Sequence, residues 1–179
     1  MEQFVDLPPT LNLPTDRSRP AIQTYNGAHQ TLLLDASLCS ALKSLGKQLG
    51  STLYMVLLAG FKGLIHRLTS QEDIVVGVAS AGQTSFGGDA LVGYCVNLLP
   101  LRSRVAGNPT FVDYLTSVKQ ILLDAQTHQT FSLEKLIKKL NPPRDPSRPP
   151  LVTIVFNLDR SSLEMLEFEN LEADIIPGP

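Results

Sequence analysis

The run DIVVGVA, residues 73–79, decides the fold class, because its β-branched residues are typical of a strand buried in a sheet. Two segments with helical spacing precede it. Leucines recur every three to four residues across 36–49, and Gly50 is placed to end that helix. Apolar residues cover more than one face of 53–68, which predicts a central helix capped by Ser51 or Thr52.

Helices and strands continue to alternate after this run. Residues 93–105 predict a second strand, and Thr110 opens a helix that ends before His128. Ser132 caps a shorter helix that reaches residue 140. The alternation predicts an α/β protein with one sheet.

Three further segments have the composition of strands. Residues 151–159 (LVTIVFNLD) give the clearest pattern, and residues 166–176 could pair with them antiparallel. Residues 30–35 (QTLLLD) predict a short strand that ends at a turn-prone aspartate. Prolines are concentrated near the start of the chain and again after residue 140, so we expect an extended arm at residues 1–28 and a structured loop at 141–150.

Composition and charge exclude several classes of protein. A chain of 179 residues, 43% of them hydrophobic, suits one globular unit. The formal charge of −2, with both signs interspersed, gives no broad positive field, so nucleic acid is not an expected partner. The chain starts without a secretory signal pattern, and its most apolar run is shorter than the roughly 20 residues of a membrane span. We therefore expect a cytoplasmic protein that does not contact a membrane.

The histidines are the main candidates for chemistry. His29, His66 and His128 are scattered and the cysteines form no close pair, so no metal site is expected. His128 could act as a general base oriented by Glu134. The alternative is structural: His128 bonds backbone groups at a helix end, and Glu134 favours the dipole of the next helix. The residues alone leave both interpretations open.

Five separated stretches of the chain have the form of known motifs: LPTDRSRP at 13–20, DIVVG at 73–77, GYCVNLLPLR at 93–102, HQTFSLE at 128–134 and RDPSRPPL at 144–151. At these motifs the sequence resembles the condensation domains of nonribosomal peptide synthetases, whose patterns in the same order are LPTDRPRP, DIVVG, GxFVNTLxLR, HQxxPFE and RDxSRNPL. It departs from the family pattern at Leu98, Ser132, Leu133 and Pro149, where threonine, proline, phenylalanine and asparagine are usual.

The resemblance implies one lobe of the two-lobed chloramphenicol acetyltransferase-like fold, a mixed sheet flanked by helices. Residues 29–179 would form part of the C-terminal lobe, and the N-terminal lobe of the same domain would be its partner. The implied reaction is amide formation between acyl or aminoacyl thioesters, which donor and acceptor carrier proteins hold on phosphopantetheine. No cofactor would bind this chain directly. The family's HHxxxDG motif is placed upstream of LPTDRPRP, and this sequence has no histidine pair, so we expect no catalytic residue here.

The resemblance also implies roles for single residues. Asn97 and Tyr94 would lie at the substrate tunnel, although Asn97 could instead bond a neighbouring backbone. The residues expected to organise the lobe are His128, Gln129, Glu134, Arg144, Asp145 and Arg148. As a fragment, the chain would bare an interdomain face and tend to self-associate.

Two other functions stay open at this point. The chain could belong to a catalytically inactive module that recruits a carrier protein or a neighbouring synthetase. A complete small acyltransferase is the weakest alternative, because no acid, base and nucleophile can be assembled.

Overall fold

The computed structural model describes residues 2–82 and 93–159. Within these ranges the chain forms a mixed α/β structure, and residues 5–35 run without helix or strand. In chain order the elements are a 3₁₀ turn at Glu2–Phe4, α1 at Ala36–Gln48, α2 at Leu53–Thr69, β1 at Asp73–Ser80, β2 at Asn97–Arg104, α3 at Phe111–Thr127, α4 at Leu133–Leu140 and β3 at Val155–Phe156.

The DIVVGVA strand lies at the centre of the described sheet. β1 pairs antiparallel with β2, in a register that runs from Asp73 opposite Arg104 to Ser80 opposite Asn97. On its other side β1 pairs parallel with β3, and the order is β2-β1-β3. The sheet is therefore mixed, and the predicted fold class is confirmed.

Alternate residues of β1 face two different apolar clusters, as the period of a strand requires. Ile74, Val76 and Val78 belong to the main core with residues of α2 and α3, whereas Val75 packs with Leu136 of α4. Each such fully buried side chain contributes roughly 1.5–3 kcal/mol. Helices thus cover both faces of the sheet.

Gly77, the last residue of DIVVG, is fixed by close packing. A Cβ atom at this position would lie 2.6 Å from Val152 Cγ1 and 3.1 Å from Leu98 Cδ1. Because Val152 is buried, a larger residue at position 77 would force the side chains of Val152 and Leu98 to move and would disturb the contact between β1 and the segment that leads to β3.

The helix ends confirm the capping predictions. The side chain of Thr52 accepts a hydrogen bond from Met55 N at 3.2 Å, and that of Ser132 accepts one from Lys135 N at 3.3 Å. Gly50 follows α1 with a φ of +58°, the left-handed conformation in which glycine is favoured. Ser132, one of the departures from the motif pattern, therefore has a capping role in this chain.

The strand predictions were less accurate. Residues 30–35 form no strand, so that prediction was wrong; Leu33 there is 94% exposed. Only Val155–Phe156 of the predicted 151–159 strand pairs with the sheet, and β2 begins at Asn97 instead of residue 93. A strand needs a hydrogen-bonding partner that composition does not reveal. The predicted strand at 166–176 lies outside the described residues.

The N-terminal segment is attached to the sheet and its loops by polar contacts. Arg102 Nη1 donates to the backbone oxygens of Gln3 and Asp6, both at 2.8 Å. Further along, Gln71 Nε2 donates to Thr10 O at 3.0 Å, and Arg19 Nη1 donates to Ser147 O at 3.3 Å. These contacts hold an otherwise irregular segment against the domain.

None of the helices in the described ranges is, taken singly, both long enough and apolar enough to cross a membrane. Together α1 and α2 reach that length and composition, with a bend of 104° between them.

Candidate functional site

Asn97 and Gln129, from two of the sequence motifs, meet at one end of the sheet. Asn97 is the first residue of β2 and lies opposite Ser80, the last residue of β1. Gln129 follows the C-terminal end of α3, whose N-terminal cap is Thr110. All three of Ser80, Asn97 and Gln129 are half-buried, and we call them the strand-end cluster.

The side-chain amide of Asn97 is largely occupied by backbone groups. Its Nδ2 donates to Gln129 O at 2.7 Å and to Phe131 O at 3.1 Å, which uses both amide hydrogens. Its Oδ1 lies 3.5 Å from Leu133 N, at the outer limit of a hydrogen bond. Asn97 therefore has acceptor capacity, but no free donor, to offer a ligand.

Gln129 connects the Asn97 amide to β1, because its backbone carbonyl bonds Asn97 and its side chain bonds Ser80. Ser80 Oγ donates to Gln129 Oε1 at 2.6 Å. The backbone of Gln129 makes a longer bond to Gln126 O at 3.3 Å. The strand-end cluster thus joins two strands and the turn between α3 and α4.

A small cavity of about 180 Å³ opens beside Asn97 and Gln129. Tyr94 also lines it and is 92% exposed, whereas Cys95 is half-buried. Gly82 has a φ of +67°, and a Cβ there would collide with the Cys95 carbonyl. Ligand pockets usually measure about 300–1,000 Å³, so this cavity has room for the end of a ligand only.

His128 is the C-terminal cap of α3. It is exposed, and its Nδ1 lies 2.9 Å from Asp124 O and 2.8 Å from Thr127 Oγ1. Glu134 lies in the first turn of α4, where a carboxylate is favoured by the helix dipole. Within the described ranges no hydrogen bond or ion pair joins His128 to Glu134, so the geometry fits the structural alternative.

The proline-rich loop that follows α4 carries the other expected motif residues. Asp145 Oδ1 accepts bonds from Ser147 Oγ at 2.6 Å and Ser147 N at 2.8 Å, and these bonds hold the pKa of Asp145 below its usual range. Arg148 Nε lies 3.1 Å from Asp145 Oδ2, as an ion pair that lacks hydrogen-bond geometry. Arg148 also reaches the N-terminal segment, donating to Asn12 Oδ1 at 3.1 Å.

Arg144, in the same loop, is exposed. It lines two cavities of about 470 and 590 Å³, together with Asp145 and several prolines. None of the strand-end cluster residues lines either cavity, so the loop residues form a separate region of the described surface.

Sequence reasoning missed a buried lysine. Lys62 of α2 has no exposed surface, and its Nζ donates to Leu101 O at 2.7 Å and to Ser103 Oγ at 2.9 Å. Ser103 Oγ lies 2.9 Å from Tyr114 OH. Burial lowers the pKa of Lys62 to about 7, although the charge of Asp73 opposes the shift. A lysine within a helix that is apolar on several faces was the available signal.

A second missed feature joins the two strand motifs. Arg102 Nη2 lies 2.6 Å from Asp73 Oδ2, and Arg102 Nε lies 2.9 Å from Asp73 Oδ1. Hydrogen bonds with Asp73 raise the pKa of Arg102. Hydrogen bonds from Arg102 lower the pKa of the Asp6 carboxyl.

The described residues contain no group of three or more histidines, cysteines or carboxylates that could hold a metal ion.

The chain is similar to known proteins in sequence and in structure. The family model described as Condensation domain matches residues 1–176. Surfactin synthase subunit 1 of Bacillus subtilis (strain 168) is 39% identical over 169 residues, which are 94% of this chain and 5% of that protein. Tyrocidine synthase 3 of Brevibacillus parabrevis is 38% identical over 173 residues, which are 97% of this chain and 3% of that protein.

A solved structure matches as well. The holo-AB3403 four-domain nonribosomal peptide synthetase, bound to AMP and glycine, superposes with a TM-score of 0.83 at 26% identity. The match covers 86% of this chain and 12% of that chain. The chain therefore spans a small part of the relatives that it matches.

Proposed function

Because this chain belongs to the condensation-domain family, we propose that it serves amide-bond formation in a nonribosomal peptide synthetase. The observation that supports this proposal most directly is the family match over residues 1–176, which includes all five motifs of the sequence. The resemblance drawn from those motifs is confirmed by this match.

In the proposed reaction, the amine of an acceptor aminoacyl group attacks the carbonyl carbon of a donor thioester. A C–N bond forms, the C–S bond breaks, and the phosphopantetheine thiol of the donor carrier protein leaves with a proton. The phosphopantetheine belongs to the carrier proteins, so the chain needs no cofactor of its own.

Within that reaction this chain provides one wall of the substrate tunnel. Tyr94 and Asn97 line the cavity at the strand ends, and the Oδ1 atom of Asn97 is suited to accept a hydrogen bond from the acceptor amine. Such a bond would orient the nitrogen lone pair towards the thioester, which is a positioning contribution.

The catalytic histidine motif is proposed to come from the other lobe. The chain has no HHxxxDG sequence, and the contacts of His128 are those of a helix cap. Residues 1–28 would serve as the extended arm and residues 29–179 as part of the C-terminal lobe. The proposed partners are the N-terminal lobe of the same domain and the donor and acceptor carrier proteins.

The test is a single-turnover reaction of the parent domain that contains this chain, with both carrier proteins loaded as thioesters. Intact-protein mass spectrometry follows transfer of the donor acyl group onto the acceptor carrier protein. Transfer above the rate without the domain is expected. Tight binding of a carrier protein without any transfer would contradict this function and would support a recruiting module instead.

A further inference from the structure

The strand-end cluster closes a ring of contacts between three parts of the chain. Ser80 and Asn97 are partners in the β1–β2 register. Asn97 Nδ2 donates to the backbone oxygen of Gln129 at 2.7 Å, and the Gln129 side chain accepts from Ser80 Oγ at 2.6 Å. The position of each residue therefore depends on the other two.

We propose that Ser80 and Gln129 are positioning residues that fix the orientation of the Asn97 amide. The inference rests on the proposed function, because it makes Asn97 Oδ1 the group that receives the acceptor amine. Neither Ser80 nor Gln129 needs to touch a substrate for this role. Their effect passes through the Gln129 carbonyl and the turn that carries it.

The acceptors around Asn97 select one orientation of its amide. Gln129 O and Phe131 O can only accept hydrogen bonds, so Nδ2 must point towards them and Oδ1 must point away. A rotated amide would set Oδ1 against two carbonyl oxygens and lose both bonds. The orientation of Asn97 is thus only as fixed as the turn that presents those carbonyls.

The local bonds of the turn are longer than the bond from Ser80, among them His128 N to Ala125 O at 3.1 Å. Within the described residues its backbone contacts include Gln129 N to Gln126 O at 3.3 Å and Phe131 N to His128 O at 3.0 Å. The Ser80 hydroxyl supplies a shorter bond from a central strand. Without it the Asn97 bonds still tie the turn to β2, but the turn and the Asn97 amide can shift together relative to β1. A displacement of about 1 Å in a reacting site can cost roughly a hundredfold in rate.

The experiment compares variants of Ser80 and Gln129 in the parent domain. Ser80→Ala and Gln129→Met remove the bond, whereas Gln129→Glu keeps an acceptor for the hydroxyl. Gln120→Met is the matched control, because Gln120 is exposed on α3 and its side chain bonds Asp124, away from the strand-end cluster.

We expect Ser80→Ala and Gln129→Met each to lower kcat at least about tenfold, with KM for the loaded acceptor carrier changed by less than about threefold. Gln129→Glu should stay within about threefold of the wild type, as should the control. The double variant should be no slower than the slower single variant, since both changes break one bond. The proposal would be overturned if kcat fell equally in Gln129→Glu and Gln129→Met, or if the decreases in kcat were additive in the double variant.

A second readout separates this inference from the proposed function. Solvent exchange of the Asn97 side-chain amide, measured by NMR on this chain, reports the two Nδ2 bonds without any turnover. Faster exchange in Ser80→Ala, together with no acyl transfer by the wild-type parent, would sustain the positioning role while the proposed function fails. Unchanged exchange and unchanged turnover in Ser80→Ala would overturn the positioning role alone.

Discussion

Replacing Lys62 by methionine is predicted to remove a pH dependence of folding stability that the wild-type chain should show. Lys62 is fully buried between α2 and β2, and burial lowers its pKa from 10.5 to about 7. Methionine has a similar volume and cannot take up a proton, so the substitution removes the titration while largely filling the same space.

Counting hydrogens supports a neutral amine in the folded chain. A charged ammonium has three hydrogens to donate, yet the acceptors within reach in the described structure are Leu101 O and Ser103 Oγ. A neutral amine has two hydrogens, and both have a partner when Nζ donates to Leu101 O and to Ser103 Oγ. The neutral form therefore leaves fewer buried hydrogens without a partner. The negative charge of Asp73 acts in the other direction, because it favours the charged ammonium.

The sign and size of this pH dependence of stability follow from the difference in proton binding between the unfolded and the folded chain. Between pH 10.5 and about 7 the unfolded chain holds a proton on Lys62 that the folded chain does not hold. The free energy of unfolding should then rise with pH by about 1.4 kcal/mol per unit, reaching at most about 5 kcal/mol over the whole window. Below about pH 7 both states are protonated and the dependence ends.

The measurement is urea unfolding of the wild type, Lys62→Met and Lys43→Met at several values from pH 7 to about 9.5. Burial also raises the pKa of Tyr54 and Tyr114, so higher pH would add an opposite trend. The difference between wild type and Lys62→Met should grow by roughly 3 kcal/mol over this range, whereas the exposed Lys43→Met control should parallel the wild type. Parallel curves for wild type and Lys62→Met would refute the reasoning.

Three further predictions concern other parts of the chain. His128→Ala should lower the free energy of unfolding by about 1 kcal/mol through loss of the cap contact; a normally stable variant whose parent lost about a thousandfold in rate would make His128 a chemical participant. Asn97→Ala should lower the turnover rate of the parent domain about a hundredfold and its free energy of unfolding by roughly 1–3 kcal/mol. Asn26→Ala is the exposed control, and unchanged turnover in Asn97→Ala would remove Asn97 from the site. Because Tyr25 and Leu33 are 95% and 94% exposed, the chain should self-associate with rising concentration; analytical ultracentrifugation that shows one monomer at all concentrations would contradict this.

The features that sequence predicted best were those set by neighbouring residues. The caps at Thr52 and Ser132 and the glycine after α1 follow from groups three or four positions apart, and the structure confirms them. The strand at 73–79 was predictable because a central strand is apolar on both faces. Residues 30–35 have strand composition without a described partner, so composition gave the wrong answer there.

The candidate site was harder to predict because its contacts join distant residues. Ser80 and Gln129 are 49 positions apart, and nothing in either local sequence shows that their side chains meet. Lys62 is visible in the sequence, but its partners lie 39 and 41 positions away on β2. Resemblance could place Asn97 near a tunnel, yet only the structure shows that both of its amide hydrogens are used.

The most direct test of the central claim is reconstitution of amide formation from two separately made pieces. Donor and acceptor carrier proteins loaded with their thioesters are mixed with this chain alone, with an N-terminal lobe containing HHxxxDG alone, and with both together. Mass spectrometry of the acceptor carrier protein should show amide product above background only when both pieces are present, because the groups that assist the reaction must lie within about 3 Å of the reacting atoms. Amide product from this chain alone would contradict the account and return His128 and Glu134 to consideration as a catalytic pair.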